Sequence, residues 1–256
     1  MSDLKEWKLY EDGKRYNNKL DPPYYKTCDV NWDFFNGNQW KNVKSNGMPT
    51  PVFNIIKRTI TFFVSTLMAN KIRVKYTPLE YSSDEQNNGE ISLPDIADAE
   101  VDNLFDKFNM DQRIREALFN AAITGDSAAH FWFDVNKTPY GGQFGDYEGE
   151  IQMELIDGSN VYFGNANTPV LSIDTQPYVI ISGRDTVENL MNEAKEYKQN
   201  QEDTESIDKD SPDVDMMGSK EEVDTTGDIE GDKYGKVNYI IMYKYNKDSK
   251  TISVTK

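Results

Sequence analysis

The sequence predicts an α+β protein in which helices pack on small antiparallel sheets and hairpins, interrupted by one long acidic insertion. Three observations predict this. Residues 54–68 repeat apolar side chains at three- and four-residue steps, the period of one helix face. Residues 128–135, 151–155 and 237–254 instead carry apolar runs or alternations broken by turn signals, the pattern of strands and hairpins. Residues 199–233 have neither period, and there thirteen Asp and Glu stand against three Lys, so about −10 of the net charge of −16 lies in this stretch. Its composition is that of a disordered or loop-like insertion.

A chain of 256 residues is enough for one large domain or two small ones. With 37% hydrophobic and 12% aromatic residues it can bury a core, while a mean hydropathy of −0.74 calls for a solvated segment as well. Four parts are expected: an N-terminal arm over 1–20, an α/β body over 21–198, the acidic insertion over 199–235, and a β-hairpin over 236–256 that belongs to the body.

The arm is expected to be loose or helical, with Trp7, Tyr10 and Tyr16 pinning it to the body or to a neighbour. Pro22 and Pro23 suit the first turn of a helix, where a missing N–H costs nothing. A helix with a wide aromatic stripe follows over Tyr24–Phe35, and Asn36 and Gly37 stop it, Gly37 supplying a left-handed cap. Gln39 and Trp40 then fold the chain back into a polar loop, Lys41–Pro51. Asn54 is the N-cap of the next helix. Ile55, Ile56, Ile60, Phe63, Val64, Leu67 and Met68 line one face of it, and Asn70 ends it. At about 1.5–3 kcal/mol for each buried side chain, this helix is predicted to be a main pillar of the core.

Ile72–Tyr76 alternates like a strand as far as Pro78, and Tyr81–Glu90 is polar. A helix is predicted through Ala97, Val101, Leu104, Phe105 and Phe108. Another, capped by Asp111 and closed by Gly125, carries Ile114, Leu118 and Ala121. Ala128–Val135 is a dense apolar strand, expected to be covered on both faces. A turn begins at Pro139–Gly142, and Ile151, Met153 and Leu155 alternate as the partner strand. Val161–Phe163 and Tyr178–Ile181 are short strands, and Asp185 with Glu188 resembles a capping box opening a helix through Leu190 and Ala194. Val237–Tyr245, a turn over Asn246–Lys250, and Thr251–Val254 form the closing hairpin, which needs a sheet to join. The chain stops straight after this hairpin, at Lys256, which reads as a truncation.

Composition excludes several function classes. Acidic surfaces repel phosphate, and sequence-independent DNA binding depends on Lys and Arg, so tight nucleic-acid binding is not expected of a chain with pI near 4.5. Cys28 is the one cysteine, so there is no intrachain disulfide and no multi-cysteine metal site; it is expected to be a buried thiol. No signal peptide opens the sequence, and its most apolar run, Ile60–Ala69, is far short of the roughly 20 residues that span a bilayer.

His130 is the one histidine, so any Ser-His-Asp or Cys-His device must use it; packed within a strand, it reads as structural. Gly141–Gly145 lacks the Lys-Ser/Thr pair of a phosphate loop and precedes a strand. The acidic insertion lacks the spacing of a calcium-binding EF-hand. The tryptophans lack the interleaved cations of a single-strand platform. No catalytic, cofactor-binding or metal-ligating residue is assigned. Two alternatives stay open: a carboxylate-based hydrolase using acids such as Asp134, Asp157 or Asp174, and a module that binds protein through its aromatic surface.

Five segments, in order, are similar to tailed-bacteriophage portal proteins. They are Phe34–Trp40, with Gly37, Asn38, Gln39 and Trp40; Asn54 with its Ile-rich helix and the exit Ile72–Pro78; Ile123–Phe131, with Gly125 and Asp126 at a helix-to-strand junction; Glu154–Tyr162, where Gly158 stands in a position usually proline; and Gln176–Arg184, with Tyr178 and Arg184. Together they cover about residues 24–197. The resemblance implies a wing-like fold and a structural, non-enzymatic role without cofactors. The implied assembly is a ring, usually of twelve copies, through which double-stranded DNA enters and leaves the capsid without sequence-specific binding. It also implies docking of the terminase large subunit, capsid or scaffolding protein and head-completion proteins, with no membrane. Its location would be the virion's capsid vertex, and the host cytoplasm during assembly. Stem and clip parts of such proteins would follow the residues present here.

Overall fold

The computed structural model describes residues 5–41, 43–70, 73–77, 93–137, 149–165, 175–196, 236–246 and 251–256. The expected polar stretch Tyr81–Glu90, the turn from Pro139, the acidic insertion, and Asp174 lie outside them, as does most of the turn Asn246–Lys250. The described elements are six helices and two small antiparallel sheets, an α+β architecture. They divide into two compact units. One comprises Met1–Trp32, Phe131–Gln152 and Ile156–Lys256; the other comprises Asp33–His130 and Met153–Leu155.

The first unit is built on a four-stranded meander of β3 (Val161–Phe163), β4 (Tyr178–Thr186), β5 (Lys236–Asn246) and β6 (Thr251–Thr255), neighbours in that order. Its register sets Tyr162 opposite Ile180, and Ile180 opposite Met242. Opposed residues share a face, so these three form one apolar row across three strands. Helix α1 (Lys5–Lys19) covers the row with Tyr10, whose ring stands edge-on to Tyr162 at 5.2 Å. Gly13 allows this approach, since a Cβ there would lie 2.8 Å from the Tyr162 ring. Helix α2 (Tyr24–Asn36) adds Tyr25, whose hydroxyl is 3.0 Å from that of Tyr162, and Asn17 Nδ2 donates to Tyr25 at 3.3 Å. Ile180 is fully buried. Cys28 is buried, as expected.

Burial raises the pKa of Tyr162 above its ordinary value, with the Tyr25 hydrogen bond adding to it. Burial also raises Tyr25, against the lowering effect of its bonds to Tyr162 and Asn17. Helix α6 (Val187–Glu196) packs on β4 and buries Leu190. A 3-10 turn at Gly158–Asn160 leads into β3, capped by Asp157, whose carboxylate accepts from Ser159 N–H at 3.0 Å.

In the second unit α3 (Ile55–Leu67) and α4 (Leu93–Lys107) each pack on α5 (Met110–Thr124). Strands β1 (Ser127–Asp134) and β2 (Glu150–Asp157), whose residues are divided between the two units, pair as a separate two-stranded sheet.

The structure corrects several expectations. Helix α3 is not a pillar of the core: Val64 is buried and Ile60 and Met68 half-buried, but Ile55, Ile56, Phe62, Phe63 and Leu67 are exposed. A helical period identifies an apolar face without saying whether the same chain covers it. The helix also ends before Asn70, with Met68 as its C-cap. Arg73–Thr77 is not a strand, because its partners are side chains on α4: Tyr76 N–H donates to Asp98 at 2.7 Å and Arg73 pairs with Asp102 at 3.1 Å. Asn109, held at φ 49°, is the N-cap of α5 in place of Asp111, which lies in the first turn. Thr186 replaces the expected Asp185–Glu188 box, its hydroxyl accepting from Asn189 N–H at 3.3 Å, while Asp185 accepts from the Asn189 side chain. Strand β1 is not covered on both faces: Phe131 and Phe133, two apart and so on one face, are exposed.

Candidate functional site

The turn between α2 and α3 gathers most of the singled-out residues of the second unit. Gly37 has φ +88°, a conformation that favours glycine, and it ends α2 in a Schellman motif: Gly37 N–H reaches Phe34 O at 3.2 Å and Asn38 N–H reaches Asp33 O at 2.8 Å. The Asn38 side chain donates to the Asp33 carboxylate at 3.4 Å, and Lys41 Nζ pairs with its other oxygen at 3.1 Å. Trp40 Nε1 donates to the Pro51 carbonyl at 3.1 Å, which draws the loop shut.

Asn54 then acts on two elements at once. Its Oδ1 accepts from Lys57 N–H at 2.9 Å, capping α3, and its Nδ2 donates to Phe35 O at 2.6 Å, taking up a carbonyl left without a helical partner at the end of α2. Lys57 Nζ also sits 5.5 Å from the centre of the Phe35 ring, and Phe35 meets Phe119 of α5 at 6.4 Å. The result is a clasp that ties the last turn of α2 to the first turn of α3. Around it lies an open depression of about 430 Å³, lined by Gly37, Asn38, Trp40, Lys41, Thr50 and Val52.

The remaining singled-out residues do not join this clasp. Gly125, at φ +105°, closes α5 through its N–H to Ala121 O at 3.0 Å, and exposed Asp126 follows it. Thr124 ties the junction by donating to both Asn120 O and Asp126 O. Tyr178 and Arg184 belong to β4 of the first unit. Tyr178 stands opposite Lys244, its hydroxyl pKa raised by burial and then by the Asp12 carboxylate; Arg184 is exposed. Gln39 is half-buried.

The chemical candidates have structural partners. His130 Nδ1 lies 3.0 Å from Glu154 Oε1 across the two-stranded sheet. Asp157 caps the 3-10 turn, and Asp134 accepts from Asn136 N–H at 3.0 Å. Among the described residues no group of three or more His, Cys, Asp or Glu is arranged to hold a metal ion, and no helix is long and apolar enough to cross a membrane.

Sequence reading missed the apolar surface beside the clasp. Phe53 is 78%, Ile55 71% and Phe62 73% exposed. The signal was present: Ile55 and Phe62 fall off the Ile60–Val64–Met68 stripe, so the helix is apolar on more than one side, which an isolated surface helix rarely is.

The chain matches the family described as phage P22-like portal protein over residues 14–254. No curated protein matches it.

Proposed function

The chain belongs to the phage P22-like portal protein family, and from that premise we propose how its parts serve the portal. A portal subunit is a structural component of an oligomeric ring associated with capsid and DNA at a capsid vertex. The match over residues 14–254 carries this reading, because it embraces both structural units.

The finer reading is a ring of twelve copies that docks the terminase large subunit, capsid or scaffolding protein and head-completion proteins, assembles in the host cytoplasm, and passes DNA without gripping it. Its role is to hold shape and contact neighbours, without catalysis. The acidic balance of −16 supports this, since a duplex that must slide is best met by few phosphate-binding cations. The clasp of Gly37, Asn38, Trp40 and Asn54 supports it too, because the hydrogen bonds of these residues cap helix ends and close the turn. We assign Gly125 and Asp126 to the junction between α5 and β1, and Tyr178 and Arg184 to the sheet. In domain terms, residues 1–20 are an arm, 21–198 the body, 199–235 an insertion and 236–256 a returning hairpin.

Sedimentation and native mass spectrometry of the purified chain test the reading. A closed assembly of defined copy number is expected, and a monomer persisting at high concentration would contradict it.

A further inference from the structure

Residues 34–77 contain seven Lys and Arg and no Asp or Glu, in a chain whose net charge is −16. The cationic stretch coincides with the bare apolar surface: Lys44, Lys57 and Arg58 are exposed, as are Phe53, Ile55 and Phe62. Within the same unit α4 has the opposite character. Its 15 residues hold Asp95, Asp98, Glu100, Asp102 and Asp106 against Lys107, and Ile96 is exposed among them. Asp95, Ala99, Asp102 and Asp106 are spaced three and four apart, so they share one side of the helix, and all four are exposed, Asp102 while also paired with this chain's own Arg73.

We propose that the apolar, cationic face of α3 and the loop before it docks on the acidic face of α4 of a second copy of this chain. This deepens the ring reading and rests on it. A second copy fits better than DNA, because phosphates satisfy the cations but offer nothing to side chains as exposed as Phe53, Ile55 and Phe62. Helices α3 and α4 both pack on α5, so each copy carries both patches on one unit. Two different patches meeting head to tail make a heterologous contact, the kind that closes into a ring when its rotation permits. Complementary charge also sets which surfaces meet and in what register.

The test combines charge swaps with hydroxyl-radical footprinting of the full chain. Reversal of one patch (Lys44→Glu with Arg58→Glu) and of the other (Ala99→Lys with Asp106→Lys) should each weaken self-association at least tenfold. Thermal melting of the dilute chains should stay unchanged. Mixing the two reversed chains should restore association, because each then offers the other one complementary pair. Oxidation of Phe53 and Phe62 should fall on assembly of the unmodified chain. An assembly in which these rings oxidise as fast as in the dilute chain would overturn the docking site and leave the ring reading standing. Failure of the unmodified chain to assemble would instead contradict the ring reading. Protection of Phe53 and Phe62 by duplex DNA, with no protection on self-association, would overturn the choice of partner.

Discussion

Helices α1 and α3 stand at opposite extremes. Helix α1 is polar along most of its length, yet its Tyr10 is buried in a closed core with Tyr162, Ile180 and Met242. Helix α3 is among the most apolar segments of the chain, yet only Val64 in it is buried and Phe62 remains 73% exposed. Apolar content therefore did not decide burial. The sheet of the first unit offers α1 a flat apolar row, and one aromatic side chain with a glycine beside it suffices to close the contact. Among the described residues α3 packs mainly on α5, and within α3 Val64 is buried, Ile60 is half-buried and the other apolar side chains are bare. The core of α1 and the sheet is closed within one copy, whereas α3 leaves most of its apolar side chains bare.

Substitutions break or sharpen this contrast, beginning with the largest effect. Ile180→Ala, at a fully buried position, should cost about 2–5 kcal/mol in urea unfolding of the dilute chain. A loss below about 1 kcal/mol would mean that the row is not the core of the first unit.

The tyrosines sharpen the same point through pH. Burial raises Tyr162 and Tyr25 above the ordinary tyrosine value of 10.0. The unfolded chain therefore sheds these protons first. Stability should be level below about pH 10 and fall as pH rises beyond it, because there the folded state binds more protons than the unfolded one. Denaturant midpoints measured between pH 8 and 11 check this, and Tyr162→Phe should flatten the alkaline fall.

Asn54→Ala comes next. It removes the cap of α3 and the bond to Phe35 O, and should cost about 0.5–2 kcal/mol, read as a shift in thermal midpoint. Smallest of all, Phe62→Ser should change the stability of the dilute chain by no more than about 0.5 kcal/mol, while lowering self-association measured by sedimentation. Equal losses from Phe62→Ser and Ile180→Ala would erase the distinction between the two units.

Local signals were legible in the sequence where one residue's chemistry settles the matter. Gly37 at the end of α2, Asn54 at the start of α3 and Gly125 at the end of α5 each serve a backbone need that few residues meet, and each stands where expected. The paired apolar runs at Val237–Tyr245 and Thr251–Val254 likewise form a hairpin, because period-two patterning fixes which face turns inward. Expectations failed where a remote partner decides. Arg73–Thr77 has the alternation of a strand, but the carboxylates of Asp98 and Asp102 take its donors. Asn109 caps α5 through a left-handed backbone, which its neighbours in sequence do not reveal. The period of α3 marked an apolar helix and could not tell a core from an interface, since the two use the same residues. The clasp was legible as a turn and a cap; the bond from Trp40 to Pro51, which closes it, depends on the path of the intervening loop.

Electron cryomicroscopy of the assembled protein is the most direct test of the central claim, that the apolar face of α3 is a contact surface between copies. The account predicts Phe53, Ile55 and Phe62 in van der Waals contact with the neighbouring copy, and Arg58 within ion-pair distance of acids on that copy's α4. An assembled ring in which those three side chains still face solvent would contradict it.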